Sequence, residues 1–264
     1  MKLQTERMIA QKDGAIGWIT FNNPARHNAI SLPMWQGLLD AVTAFCADPE
    51  VRVIVLKGAG DKAFVSGADI SEFEEKRSNA ENIAAYNAVS HAATAALTDV
   101  DKPTIAMIRG YCVGGGVAVA LACDMRIAAE GSSFAVPAAR LGLGYEFEGV
   151  RKLVDVVGPS FAREIFYTAR QFTVHEAVGM GLVNRVLPRD ALEGYVREYA
   201  QRIAANAPLT VASIKTLVAQ ALKDESRRDP ALCKAVVERC FASADYVEGR
   251  QAFMEKRQPK FTGR

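Results

Sequence analysis

Histidine is scarce in this chain of 264 residues, with only 3, at positions 27, 91 and 175. The 5 cysteines form no CxxC pair and have no histidine cluster nearby. That spacing gives no metal site and reads as reduced, mostly buried thiols of an intracellular protein. Charge of one sign is not in excess either: 32 basic residues face 30 acidic ones. A nucleic-acid partner, which calls for a strongly basic face, is not expected. No apolar run approaches the roughly 20 residues that span a bilayer. The first residues, MKLQTERMIAQKDG, lack the apolar core of a signal peptide. A soluble cytoplasmic protein, with no membrane contact, is the expectation. Also missing are GxGxxG, the GxxxxGK[ST] phosphate loop and the GxSxG nucleophile elbow.

What is present is an alternation of strand and helix patterns. GAIGWITFNN (14–23) reads as a strand, LPMWQGLLDAVTAFCAD (32–48) as a helix and VRVIVLKGAG (51–60) as a buried strand. ENIAAYNAVSHAATAALTDV (81–100) reads as a long helix and KPTIAMIRGYC (102–112) as one strand. GGVAVALACDMRIAA, which follows, has helical periodicity. Two short helices are predicted over 150–158 and 159–170, then another over 173–181. Beyond about 190 the chain reads as helical, with no sheet to cover. The expected division is an α/β core over 1–190 and a helical region over 191–264.

Three consecutive glycines, Gly114 to Gly116, sit where a strand pattern gives way to a helix. Glycine weakens regular elements, so the run needs a reason. One reason is close helix–strand packing. Another is a ligand approaching the unpaired N–H groups of a helix start. DKAFVSGADI (61–70) makes a second strand-to-helix turn, with Asp69 as a candidate cap. Two such turns can aim two backbone N–H groups at one oxygen, which is the logic of an oxyanion hole.

These stretches, with NPARHNAIS (23–31), FTVHEAVGMGLVNRVLP (172–188) and ADYVEGRQAFMEKRQPKFTGR (244–264), resemble the crotonase (enoyl-CoA hydratase/isomerase) superfamily along essentially the whole chain. The resemblance implies a crotonase-like α/β spiral of ββα units and a C-terminal helical region that builds trimers, often stacked into hexamers. It implies an acyl-CoA ligand, with coenzyme A as part of the substrate and no further cofactor. The thioester oxygen would accept bonds from the N–H groups of Ser66 and Gly115. Arg26, Phe64, Ala68 and Asp69 would contact coenzyme A. Phe253, Lys256 and Lys260 of the terminal helix would reach the ligand of a neighbouring subunit.

The chain departs from its relatives where typical hydratases carry two glutamates. Ala118 stands two residues after the triple glycine, and Ala138 follows the proline of AVPAARLG. Neither methyl group can move a proton. The acids that remain nearby are Glu146 and Glu148 of GLGYEFEGVRKL (142–153). Glu146 matches an active-site aspartate of the dienoyl-CoA isomerase branch. Tyr145 matches a loop tyrosine of methylmalonyl-CoA decarboxylase, although that enzyme's oxyanion-turn histidine is Ala68 here. Both acids would also suit the N-terminus of the following helix without any catalytic role. His91 and His175 read as structural, and His27 lies in the segment expected to meet coenzyme A.

Three readings stand on this basis. The first is an enzyme moving protons on an enoyl-CoA, an isomerase or atypical hydratase, with Glu146 working in a partly dry pocket beside Tyr145 and Phe147. The second is a decarboxylase of a malonyl-type thioester. The third is a non-catalytic acyl-CoA binder.

Overall fold

The computed structural model describes residues 3–69 and 80–264. Among the described residues, ten strands make two sheets. The large sheet holds β1 (Met8–Asp13), β2 (Ile16–Phe21), β3 (Val53–Gly58), β5 (Thr104–Ile108), β7 (Met125–Ala129) and β10 (Arg185–Leu187), in that order. β1 pairs antiparallel with β2, and every other neighbour in this sheet is parallel. The small sheet runs β4 (Ala63–Val65), β6 (Tyr111–Val113), β8 (Ser133–Ala135), β9 (Phe172–Thr173). Each step β3–β4, β5–β6 and β7–β8 therefore leaves the large sheet for the small one. Helices close the steps: α1 (Leu32–Ala47), α2 (Ala80–Asp99), α3 (Gly115–Ala122) and α4 (Phe147–Thr168). This is the expected spiral of ββα units.

The stretch read as one strand over 102–112 is two strands in different sheets. The chain turns at Gly110, where a side chain would collide with the Lys62 carbonyl 2.0 Å away. The segment read as helical after Gly115 also divides, into α3 and β7. Its residues are almost all apolar, so no polar face marks the period, and length alone could not separate the two. β1 carried no strand signal, because its outer half, Gln11 to Asp13, is polar and exposed. Helix α4 does break where expected: Gly158 takes φ 75° and ψ 166°, and Pro159 opens its second half.

Helices α5 (Val174–Gly179), α6 (Leu192–Ala204), α7 (Pro208–Ala221), α8 (Pro230–Phe241) and α9 (Ala244–Glu255) complete the described chain. The expectation that nothing after 190 covers a sheet is corrected by α6. Its Leu192, Val196, Ala200 and Ala204 pack on Ile16, Val53, Val55, Ile105 and Ile127, the outer face of the large sheet. The other face meets α1, α2 and α3 in the main core. Helices α7 to α9 differ: Ile214, Val218, Leu222, Phe241, Val247, Phe253 and Met254 are each more than half exposed. No described helix is long and apolar enough to cross a membrane.

Candidate active site

The two glycine turns lie side by side because a buried asparagine ties down the segment before them. Asn28 has φ 56° and is fully covered. Its amide donates to the carbonyls of Ala59 (3.0 Å) and Ala63 (2.7 Å) and accepts from the Asn23 N–H (2.9 Å). Sequence reading missed this residue. Asparagine's tolerance of the left-handed region was the available signal. Ile30 then forms a parallel bridge to Ala68: its N–H donates to the Gly67 carbonyl, and the Asp69 N–H donates to its own carbonyl. In that pattern the Ala68 N–H points away from Ile30.

The triple glycine resolves into three separate requirements. Gly114 caps α3 with φ 51° and ψ −110°, a conformation hostile to a side chain. Gly116 is a packing glycine, since a Cβ there would lie 2.3 Å from the Val65 carbonyl oxygen. Gly115 has neither constraint. The nearest atoms to a Cβ there are Trp35 Cζ2 at 3.6 Å, Gly67 C at 3.8 Å and Ala68 N at 3.9 Å. The first N–H of a helix has no partner within that helix. Neither the Gly115 nor the Ala68 N–H meets an acceptor among the described residues.

Ser66 is corrected as the partner of Gly115. Its N–H donates to the His27 carbonyl at 3.2 Å, so it is already occupied. Phe64 is corrected too. It is fully buried and packs edge-on against Phe21 at 5.7 Å, out of reach of a ligand. Arg26 and Asp69 do come together, in an ion pair of 2.9 Å, with the guanidinium half exposed and the carboxylate buried. The helix that Asp69 was read as capping begins outside the described residues. Phe253 and Lys256 lie on and just after α9, both exposed. Phe253 borders a groove of about 600 Å³ shared with Ile214, Leu217, Tyr246 and Phe261. No residue of the glycine turns lines it.

Ala118 follows Gly115 by one helical turn, and Ala138 is buried in the short turn Pro137–Leu141. Neither position offers a carboxylate. Glu146 occupies the cap position of α4 but makes no side-chain capping bond. Its carboxylate is turned to α2 instead, accepting from Asn87 Nδ2 at 2.9 Å and meeting His91 Nε2 at 3.0 Å. His91, read as structural, is thus its direct partner. The partly dry pocket expected for Glu146 is corrected: its side chain is 54% exposed and neighbouring Phe147 is 73% exposed. Glu148 pairs with Arg151 one turn on, at 3.0 Å, as a solvated helix acid does. Tyr145 packs edge-on against Phe166 at 4.8 Å, and burial pushes its phenol up from the ordinary value. That ring requires Gly149, whose Cβ would lie 2.6 Å from it.

The comparisons with known proteins agree with this architecture. Residues 11–264 match the family model described as enoyl-CoA hydratase/isomerase. A crotonyl-CoA hydratase from Syntrophomonas wolfei is 33% identical over 256 residues, covering 97% of this chain and 98% of that one. A carnitinyl-CoA dehydratase from Salmonella enteritidis is 33% identical and covers 98% and 100%. Among solved structures, an enoyl-CoA hydratase/carnithine racemase from Magnetospirillum magneticum superposes with a TM-score of 0.94 at 38% identity, covering 99% and 97%. An enoyl-CoA hydratase from Bacillus anthracis gives 0.93 at 30% identity, covering 98% and 100%. With the spiral, its paired glycine turns and matches along nearly its full length, the chain belongs to the enoyl-CoA hydratase/isomerase family of enzymes.

Proposed function

We propose that the chain stabilises a thioester enolate and moves protons on an enoyl-CoA, as an isomerase or as a hydratase with an atypical acid. The observation that carries this is the acceptor-free pair of N–H groups at Ala68 and Gly115, on two turns that face one space. A thioester oxygen between them takes both bonds. Such donors act most strongly on the charge of the enolate, so they lower the barrier and not merely the ground state. Arg26 beside this site suits the phosphates of coenzyme A. Glu146 is the proton carrier. Its two oxygens are held by Asn87 and His91, which aim the carboxylate away from the helix it precedes.

A second reading, loss of CO₂ from a malonyl-type thioester, is favoured by Ala118 and Ala138. Without carboxylates at these positions an anionic acyl group meets no repulsion there. We also assign the chain to the cytoplasm and to a homotrimer or hexamer; the exposed apolar residues of α7 to α9 support the assembly. In that assembly Phe253 and Lys256 serve a neighbour's ligand.

The test is a panel of enoyl-CoA and malonyl-type thioesters in deuterated water, followed by mass spectrometry. Exchange of α- or γ-protons on an enoyl-CoA is the expected result. CO₂ release without exchange selects the second reading, and no reaction with any thioester sinks both.

A further inference from the structure

The indole of Trp35 and the phenol of Tyr86 form a hydrogen-bonded pair next to the two free N–H groups. Trp35 stands on α1 and Tyr86 on α2, and each is about 4% exposed. The indole Nε1 donates to the phenol oxygen at 2.8 Å. Cζ2 of the same indole lies 3.6 Å from the point where a Gly115 Cβ would sit, and the Ala68 nitrogen lies 3.9 Å from that point. The ring edge therefore borders the space that Gly115 and Ala68 share.

An acyl group whose carbonyl oxygen is held there has its first carbons within a bond or two of that space. The indole edge, 3.6 Å from the Cβ position of Gly115, stands on the border of that space. A longer chain needs a channel, and a channel along these rings would leave their faces uncovered. Their near-complete burial shows a packed surface instead. The wall is also anchored. If the indole swung aside, its N–H would lose the Tyr86 oxygen while still buried, and an unpaired buried donor is costly.

We propose that the Trp35–Tyr86 pair is the end wall of the acyl pocket and restricts this enzyme to short acyl thioesters of about four carbons. This rests on the acyl-CoA reading above and not on which residue carries the proton.

The experiment measures dissociation constants of the full chain for the saturated thioesters acetyl-, butyryl-, hexanoyl-, octanoyl- and decanoyl-CoA. None of them has a double bond to react. Butyryl-CoA is expected to bind best in the unaltered protein, with octanoyl-CoA at least about tenfold weaker. A buried methylene is worth about fourfold in affinity. Trp35→Ala should therefore move the octanoyl-to-butyryl ratio at least about tenfold towards the longer chain. Tyr86→Phe keeps the ring but removes the acceptor, and should move the ratio the same way by less. Circular dichroism accompanies each variant. Should Trp35→Ala fail to fold, Trp35→Phe shortens the wall with less loss of volume and carries the same comparison. An unchanged ratio in a folded Trp35 variant overturns the proposal, as does unaltered protein that prefers decanoyl-CoA. If the unaltered protein binds no thioester of any length, the acyl-CoA reading itself fails and this proposal goes with it.

Discussion

The Ala68 amide nitrogen lies 3.9 Å from where a Cβ on Gly115 would project, whereas a Cβ on Gly116 would strike the Val65 carbonyl oxygen at 2.3 Å. Adjacent glycines thus have opposite reasons to be glycine. Gly115→Ala is expected to fold normally and lose acyl-CoA turnover, because its methyl group fills space meant for the thioester. Gly116→Ala is expected to fold poorly or not at all. Gly115→Pro places proline at the first helical position, where it is well tolerated, and deletes one donor. Its turnover should fall by about 10²–10³-fold with the melting curve preserved. Full activity in a folded Gly115→Pro protein contradicts the assignment.

Glu146→Gln should abolish most proton exchange while leaving acyl-CoA affinity nearly unchanged. General acid–base help is worth about 10²–10⁴-fold. His91→Gln, which removes the imidazole beside Oε2, should lower turnover by less and alter its pH profile. Glu148→Gln should do little, since among the described residues that side chain pairs with Arg151 on its own helix. Exchange that survives in Glu146→Gln but disappears in Glu148→Gln would identify the other acid.

Hydration of crotonyl-CoA by the unaltered protein should be slow beside a two-glutamate relative. Two missing acid–base groups cost several orders of magnitude together, less than the product if they act as one unit. Ala118→Glu with Ala138→Glu should raise the rate. Ala138 is only 6% exposed, so the second glutamate must also be desolvated, and some stability is lost. Unaltered protein as fast as ordinary hydratases would show that these positions were matched wrongly.

Stability at acid pH should depend on Glu176. Arg170, and then the Thr173 N–H and hydroxyl, hold its carboxyl down to about 2 from an ordinary 4.5. A folded value below the unfolded one stabilises the fold above pH 4.5, and that contribution is lost as pH falls towards about 2. Urea midpoints across this range should fall less steeply in Glu176→Gln than in the unaltered protein. Parallel curves would show that the ion pair contributes nothing measurable.

The exposed apolar residues of α7 to α9 should be covered in solution. Light scattering at micromolar concentration is expected to give a trimer or hexamer, and Phe253→Asp with Ile214→Asp to shift it towards smaller species. A stable monomer of the unaltered chain would refute the assembly.

Much of the ββα order was legible because strands such as Val53–Gly58 open with a fully buried apolar run, Val53 to Leu56, while helices such as Leu32–Ala47 alternate faces. The run from Gly115 to Ala129 was not, since a stretch apolar but for Asp124 and Arg126 has the same pattern as helix or strand. The sequence by itself determined that glycines at a strand-to-helix turn present backbone N–H groups, and that Ala118 and Ala138 carry no proton. Only the tertiary structure decided which N–H groups are free. Ser66 and Ala68 stand two apart in one turn, and strand alternation alone would point both N–H groups the same way, so no local pattern separates them. The His27 and Ile30 carbonyls, set in place through Asn28, take those of Ser66 and Asp69. The pairing of Glu146 with His91, 55 positions earlier in sequence, was likewise decided by the packing of α2 beside the loop, which no local pattern encodes.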